Sequence, residues 1–317
     1  MTRTAQLFPR RLNVAVLVAT LALASLVAIG LATNDRFGTL RNASNVLEQA
    51  SPLGLLALGQ MLVILTGGID MSVGAIVTAT AVAVAALCGL YPEFAPLILV
   101  GTMVLGAEIG ALNGAIINRS GVHPLIVTLG SSSIIGGIVL LYTMRPVGRV
   151  PIWLEDFAYG ATGAMPNVGI VMLIAFAGVA LVLRRTVTGH AVYAVGGNAA
   201  AAAAAGISVA RVTVLAYAAS GFLAALAGIY FAARTGTGDP RVGDAMTLAS
   251  ITPVVVGGTL LGGGVGTVTG TLLGVALVSV LGNVLNYMNV STFVQWVVQG
   301  LVILVAVSIY VDRSRKL

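Results

Sequence analysis

The chain has 317 residues, of which 58% are hydrophobic and only 8% charged, with a mean hydropathy of +1.04. A soluble domain carries about 25% charged residues, so a water-covered globule is excluded and an integral membrane protein is the class that remains. The net charge of +6 and pI near 9.9 do not signal nucleic acid, because the basic residues sit singly or in pairs at the ends of apolar runs.

Crossing a hydrocarbon core takes about 20 residues of helix. In chain order the expected spans are Leu12–Ala32, Val46–Thr66, Met71–Leu90, Ala95–Ile117, Pro124–Thr143, Asn167–Leu183, Val212–Ala232, Leu248–Leu261, Thr267–Met288 and Thr292–Val311. This is an all-α polytopic membrane protein of about ten transmembrane helices in one domain, 1–317. The eighth span is short enough to be broken or re-entrant. The first follows Arg10-Arg11 but is long for a signal peptide and lacks a clear cleavage site, so it is expected to be retained.

Two apolar segments are interrupted by glycine pairs. Val63-Ile-Leu-Thr-Gly-Gly-Ile-Asp-Met-Ser-Val-Gly74 adds a carboxylate and a serine to the break, and Val254-Val-Val-Gly-Gly-Thr-Leu-Leu-Gly-Gly-Gly264 repeats it late in the chain. Paired interruptions of this kind point to the substrate path of a transporter. Gly106, Gly110 and Gly114, and likewise Gly262, Gly266, Gly270 and Gly274, recur every fourth residue. Each row is expected along one helix face, where a neighbouring backbone packs directly.

With the N-terminus inside, the inner segments hold Arg3, Arg10, Arg11, Arg119, Arg184, Arg185, Arg211, Arg313, Arg315 and Lys316. The outer ones hold Arg36, Arg41, Arg145, Arg149, Arg234 and Arg241. The bias places both termini in the cytoplasm. The outer connection Met144 to Pro166 suits a short amphipathic helix around Trp153 and Phe157, and with Arg234–Asp244 it forms either an outer docking rim or a plain amphipathic cover.

The only long inner connection, 184–211, contains Gly189-His-Ala-Val-Tyr-Ala-Val-Gly-Gly-Asn198, seven alanines and Gly206-Ile207. Asparagine caps helices, alanine favours them, and glycine ends them. A two-turn helix over Ala199–Ala205 follows. Such a helix is marginal in water alone and suits a groove on a cytoplasmic partner.

The remaining polar residues leave alternatives open. Asp70, with Ser72, either lines a pathway or caps the helix starting at Met71 and serves the backbone break; the topology puts it near the inner face. Glu108 lies mid-segment and must face protein or a water-filled cavity. Asn113, Asn283, Asn286 and Gln295 suit either a neutral polyol or hydrogen bonds between helices. The one cysteine, Cys88, permits no internal disulfide and no cysteine-based metal site. The single lysine, Lys316, is not in a Gly-rich turn, so ATP is not bound here through a P-loop.

Taken together, these motifs resemble the permease subunit of a ribose-type ABC importer, from about Val46 to the C-terminus. The ending Leu285-Asn-Tyr-Met-Asn-Val-Ser-Thr-Phe-Val-Gln295 is similar as well. The resemblance implies a fold like the larger, cobalamin-type importer permeases in a bacterial inner membrane. It also implies a second permease subunit, a pair of nucleotide-binding ATPase subunits carrying ATP and magnesium, and an external soluble sugar-binding protein. This chain would have no enzyme activity, cofactor or metal of its own. Carried over, Gly189, Tyr193, Gly196, Gly197, Asn198 and Gly206 form the element that couples to the ATPase. From their polarity within apolar segments, and not from the resemblance, Asp70, Ser72, Glu108, Asn113, Asn283 and Asn286 are candidates for the path. Members of this type usually carry acidic residues after Gly-Gly-Asn and an Arg-Leu pair before the final glycine. Alanine stands there instead, at Ala199, Ala200, Ala203 and Ala204, so docking rests on shape. Within this family a nucleoside or branched-chain amino acid is an alternative cargo. An ion-coupled secondary carrier is the rival of another class, and a membrane-embedded enzyme is disfavoured because His123 and His190 form no ligand cluster.

Overall fold

In the computed structural model, residues 7–291, 293–295, 297–298 and 300–302 are described, with backbone only for 7–15. The chain runs α1 (Leu7–Thr33), α2 (Leu40–Leu65), α3 (Val73–Leu90), α4 (Ala95–Ser120), α5 (Pro124–Tyr142) and the short α6 (Ile152–Tyr159). A two-residue hairpin, β1 (Ala161–Thr162) and β2 (Met165–Pro166), leads to α7 (Asn167–Arg185), α8 (Val187–Gly197), α9 (Ala199–Ala204) and α10 (Val209–Thr235). The described part then continues with α11 (Met246–Val256) and α12 (Val268–Tyr287). Among the described residues, eight helices are long and apolar enough to cross a membrane. The protein is therefore an all-α, multi-pass membrane protein. The expected eighth span is too short to cross, because Gly257-Gly258 ends α11 after 11 residues. The tenth, Thr292–Val311, lies largely outside the described residues.

The core is built around α2, α3 and α10. Leu55, Leu58, Met61, Ile64, Ile76 and Ala224 are among its fully enclosed side chains. By contrast α5 packs on α3 and α4 along one face only, and Ile126, Ile134, Ile138 and Leu141 project outward. Water would penalise such a surface by about 25 cal/mol per Å² of apolar area, whereas hydrocarbon does not. Helix α1 rests on α12. Near this contact Asn42 and Asn283 exchange amide hydrogen bonds of 3.0 Å, and Tyr287 Oη donates to Asn42 Oδ1 at 3.3 Å.

Gly106, Gly110 and Gly114 do form one face, laid directly on the backbone of α10 at Gly221, Tyr217 and Val214. The second glycine row does not. Helix α12 begins only at Val268, so Gly262 and Gly266 belong to the preceding turn. Gly270 and Gly274 alone lie in the helix, where they meet the backbone of Gly257 and Pro253. Even spacing continued through a segment that had stopped being helical.

The segments expected to form an outer rim also differ from the sequence expectation. The amphipathic helix is present as α6, with Trp153 and Phe157 exposed. Arg234 is not a free rim charge: its guanidinium pairs with Glu48 and lies 4.3 Å above the Tyr159 ring. Beyond it the chain turns inward. Gly238 packs against Ala81 and Val82, and Gly243 against Gly74 and Thr78, so residues 236–245 descend along α3.

A Cβ on Gly110 would collide with the Tyr217 carbonyl group, whereas one on Gly130 of α5 would meet nothing within 4 Å. Gly110→Ala should therefore destabilise by about 1–3 kcal/mol through overpacking. Gly130→Ala should be neutral or stabilising by about 0.5–1 kcal/mol. Thermal unfolding of the two variants in detergent checks the contrast.

Candidate functional site

At the first glycine break, α2 ends because Gly67 adopts φ +89°, a left-handed conformation that side-chain-bearing residues rarely take. Gly68 N donates to Val63 O at 3.1 Å and Gly67 N to Ile64 O at 2.9 Å, the paired bonds of a Schellman cap. The second break repeats the device. Gly258 has φ +87°, Thr259 N donates to Val254 O at 3.1 Å, and Gly258 N donates to Val255 O at 2.9 Å. Helix α9 ends the same way, with Gly206 at φ +83° and Ile207 N donating to Ala202 O at 3.0 Å.

These glycine-rich segments converge. Gly264 N, in the second break, donates to Leu65 O, the last helical residue before the first break, at 2.9 Å. Gly196 lies against both, close enough that a Cβ would collide with the Leu65 carbonyl oxygen and Gly264 N. A Cβ on Gly264 would in turn stand 2.7 Å from Gly197 Cα. Tyr193 Oη donates to Gly266 O at 3.1 Å and fastens α8 to the turn. Burial pushes this phenol above its usual pKa, against the lowering influence of Arg184, so it stays protonated as a donor. Gly189 lets α8 fold back closely on Val182 and Leu183 of α7.

Asn198 joins this junction to α9. Its Oδ1 accepts from Ala201 N at 2.9 Å, a helix N-cap. Ala202 is the buried residue of α9, and its neighbours Ala199–Ala201, Ala203 and Ala204 are exposed. The six sequence-expected coupling residues thus fall in one continuous piece of structure. Most of them act inside the chain, by close approach, capping or reversal.

Asp70 occupies a second cluster. Its Oδ1 accepts from Ser72 Oγ at 2.6 Å and Ser72 N at 2.9 Å, and its Oδ2 from Ser220 Oγ at 2.9 Å. Asn113 Nδ2 donates to Ser72 Oγ at 3.0 Å. With its amide oriented by this network, Gln60 donates to Asp70 O at 3.1 Å and accepts from Asp70 N at 3.2 Å. Thr128 Oγ1 accepts from Met71 N at 3.0 Å and donates to Ile69 O at 3.3 Å, and Tyr217 Oη reaches the same carbonyl at 3.4 Å. Asp70, Ser72, Gln60 and Asn113 are all buried.

Two expectations about Asp70 need correction. Helix α3 starts at Val73, not Met71, and Asp70 satisfies Ser72 N in the preceding turn, so it is not the N-cap. Nor is it near the inner face. Ser220, its partner, lies about 16 Å from the Val209 end of α10 at 1.5 Å per residue. The chain passes the glycine break and climbs back into the molecule before α3 begins.

The other polar candidates are dispersed. Asn283 pairs with Asn42, and Asn286 accepts from Gln295 Nε2 at 2.8 Å. Glu108 lies on the exposed face of α4, among Val104, Leu105 and Leu112, with no described residue of this chain covering it. Sequence reading missed Gln60, Thr128, Tyr217 and Ser220. Their only signal was polarity inside apolar runs, which named no partner. No group of three or more metal-ligating side chains occurs among the described residues.

Asp70→Ala would strand the hydroxyls and amide that converge on the carboxylate. It should cost about 1–3 kcal/mol of stability, while Asp70→Asn, retaining one acceptor oxygen, should cost less; chemical unfolding in detergent measures both. Gly196→Val should be worse tolerated than Gly197→Ala, whose Cβ meets nothing within 4 Å, a difference readable as assembled membrane protein per cell.

Comparison with known proteins adds independent findings. A family described as branched-chain amino acid transport system / permease component matches residues 42–307. The chain is similar to the ribose import permease protein RbsC of Escherichia coli (strain K12), 37% identical over 302 residues, covering 93% of each chain. It is 39% identical over 301 residues to the RbsC of Bacillus subtilis (strain 168), covering 93% of this chain and 92% of that one. The D-allose transport system permease protein AlsC of Escherichia coli (strain K12) is 33% identical over 294 residues, covering 90% and 89%. No solved structure matches the chain. A family match across most of the length, relatives covered nearly end to end, and eight spanning helices lead to one conclusion: this chain belongs to the family of ribose-type ABC importer permeases.

Proposed function

We propose that this chain carries a monosaccharide, a pentose in the first instance, across a bacterial inner membrane as the passive channel subunit of an ATP-driven importer. The sugar is supported by the relatives, whose names specify ribose and allose. The distribution of basic residues supports cytoplasmic termini, which puts α8 and α9 inside and α6 outside. Two ATPase subunits dock at α9, a second permease subunit packs alongside, and a soluble sugar-binding protein docks over the outer face.

The observation that carries this reading is the glycine junction. An ATPase that grips α9 pulls on Asn198 and Gly197, and Gly196 rests directly on both membrane breaks. Backbone in contact with backbone has no flexible side chain between to absorb a displacement. Motion of α9 is therefore transmitted to the turns after α2 and α11. The two end states must differ in affinity for nucleotide and for loaded binding protein, or no transport results. In the described conformation Asp70, Ser72 and Asn113 are closed into their network, so a path through them requires α3 to part from α4 and α10. Neutral hydroxyls suit their donors and acceptors better than a charged solute does.

Glu108 favours the second reading, an ion-coupled carrier, since it is an exposed acid within a spanning helix. Uptake by the chain alone under an ion gradient, abolished in Glu108→Gln, would establish that reading and end the first. For the importer, Ala202→Pro is the decisive variant. Proline removes the Ala202 N to Asn198 O bond of 2.9 Å and costs about 3 kcal/mol or more in a helix interior. The reconstituted complex should still hydrolyse ATP but lose sugar uptake; unimpaired uptake would discard α9 as the coupling element.

A further inference from the structure

We propose that the non-helical stretch 236–245 is a water-facing wall of the translocation path, where Asp239, Arg241 and Asp244 meet a neutral, hydroxyl-rich solute in transit. The inference rests on the importer reading for the existence of a path, and deepens it by placing part of the lining.

Depth is the first argument. Gly228 of α10 packs on Val77 and Thr80 of α3, and Ser220 bonds Asp70 just before α3 starts. Gly243 lies against Gly74 and Thr78, between those two levels. It is therefore beside the middle of α10, which runs from Val209 to Thr235. The stretch enters from the outer end of α10, reaches mid-depth, and there α11 begins.

The attachment is one-sided. Thr78 Oγ1 accepts from Gly243 N at 3.0 Å, and Thr247 Oγ1 accepts from Gly74 N at 3.2 Å, so two threonines clamp the stretch to α3. Gly238, Pro240 and Gly243 are buried on that side. Arg241, Asp244 and Ala245 are exposed, and Asp239 is half-buried with Oδ1 accepting from Arg241 N at 2.9 Å. An ionised side chain at the bilayer centre costs about 2.5–3.5 kcal/mol on insertion scales. Three of them within six residues, on irregular backbone, are tolerable only beside water or protein.

Water is favoured by what stands above. An open cavity of about 520 Å³ is walled by Ala86, Leu90, Tyr142, Val147 and Arg149. Val147 pairs with Gly238 through bonds of 2.8 and 3.0 Å, so the cavity adjoins the upper end of the stretch. Alternating carboxylates and a guanidinium supply both acceptors and donors, the pattern a polyol needs and a singly charged solute does not.

Thiol labelling of the full importer in proteoliposomes tests this. Cys88, buried and the sole cysteine, is first replaced in Cys88→Ala, and ATP-dependent ribose uptake by that background is measured with all partners present. Failure of uptake there counts against the importer reading and leaves the labelling result standing by itself. Single cysteines are then placed in Arg241→Cys and Asp244→Cys, with Thr162→Cys as an outer-loop control and Ile134→Cys, on the outward apolar face of α5, as a lipid-facing control. A membrane-impermeant cationic methanethiosulfonate reacts with thiolate, which forms in water. The two test positions should label at least about tenfold faster than Ile134→Cys, and labelling should abolish uptake. Labelling as slow as at Ile134→Cys places the stretch against lipid or protein and overturns the proposal, as does fast labelling with uptake unchanged. Ala245→Cys, which removes no charge, gives the same readout if a charged-site variant fails to assemble.

Discussion

A helix that stops within packed protein must hand its unpaired backbone groups to other protein atoms, because no water reaches them there. That requirement shapes this molecule more than any single residue. The chain stops twice, after Leu65 and after Val256, and each stop is closed first by its own Schellman cap and then by the other segment. Leu65 O, left free by the end of α2, is answered from Gly264 at the far break. The turn beyond Leu65 is answered by Gln60 of α2, Thr128 of α5, and Tyr217 and Ser220 of α10. Neither break is tenable without the rest of the fold around it.

Close approach is what makes such closure possible. Gly196, Gly264, Gly257 and Gly270 bring backbones together where any Cβ would hold them apart. The same feature that satisfies hydrogen bonds also stiffens the junction. A stiff junction next to α9 suits a protein that is moved from outside itself, since displacement at one end is not lost among rotamers. The all-alanine outer surface of α9 fits the same design. It offers shape and little chemistry, so in the proposed docking of the ATPase at α9 partner choice would fall to fit and to the arginines at the ends of the loop.

Polar groups in the membrane divide by what they face. Asp70, Ser72 and Asn113 are sealed among partners and hold a turn in place. Asn42 with Asn283, and Asn286 with Gln295, tie helices together. Glu108 and the charges of 236–245 face away from the chain at depth, where only water or another polypeptide makes them affordable. The boundary between structural glue and working surface is thus drawn by exposure and depth, which residue type does not reveal.

Much was legible in the amino-acid order because helices, caps and breaks obey local rules. Spans of about 20 apolar residues, glycine after Thr66 and after Val256, and Asn198 before an alanine run each specify their own neighbourhood through φ, ψ and nearest hydrogen bonds. The pairing of the two glycine breaks was visible as a repeated pattern. Their physical meeting at Gly196 was not, since nothing near Gly196 encodes which distant carbonyl it touches. Likewise Asp70 read as a polar residue close to an inner helix end, yet its depth is set by Ser220, 150 residues away. The stretch after Arg234 looked like any charged outer loop, and only the threonine clamps on α3 draw it inward. Local chemistry determined where the chain would stop being helical; long-range packing alone decided which stops would face one another and which charges would be left looking outward.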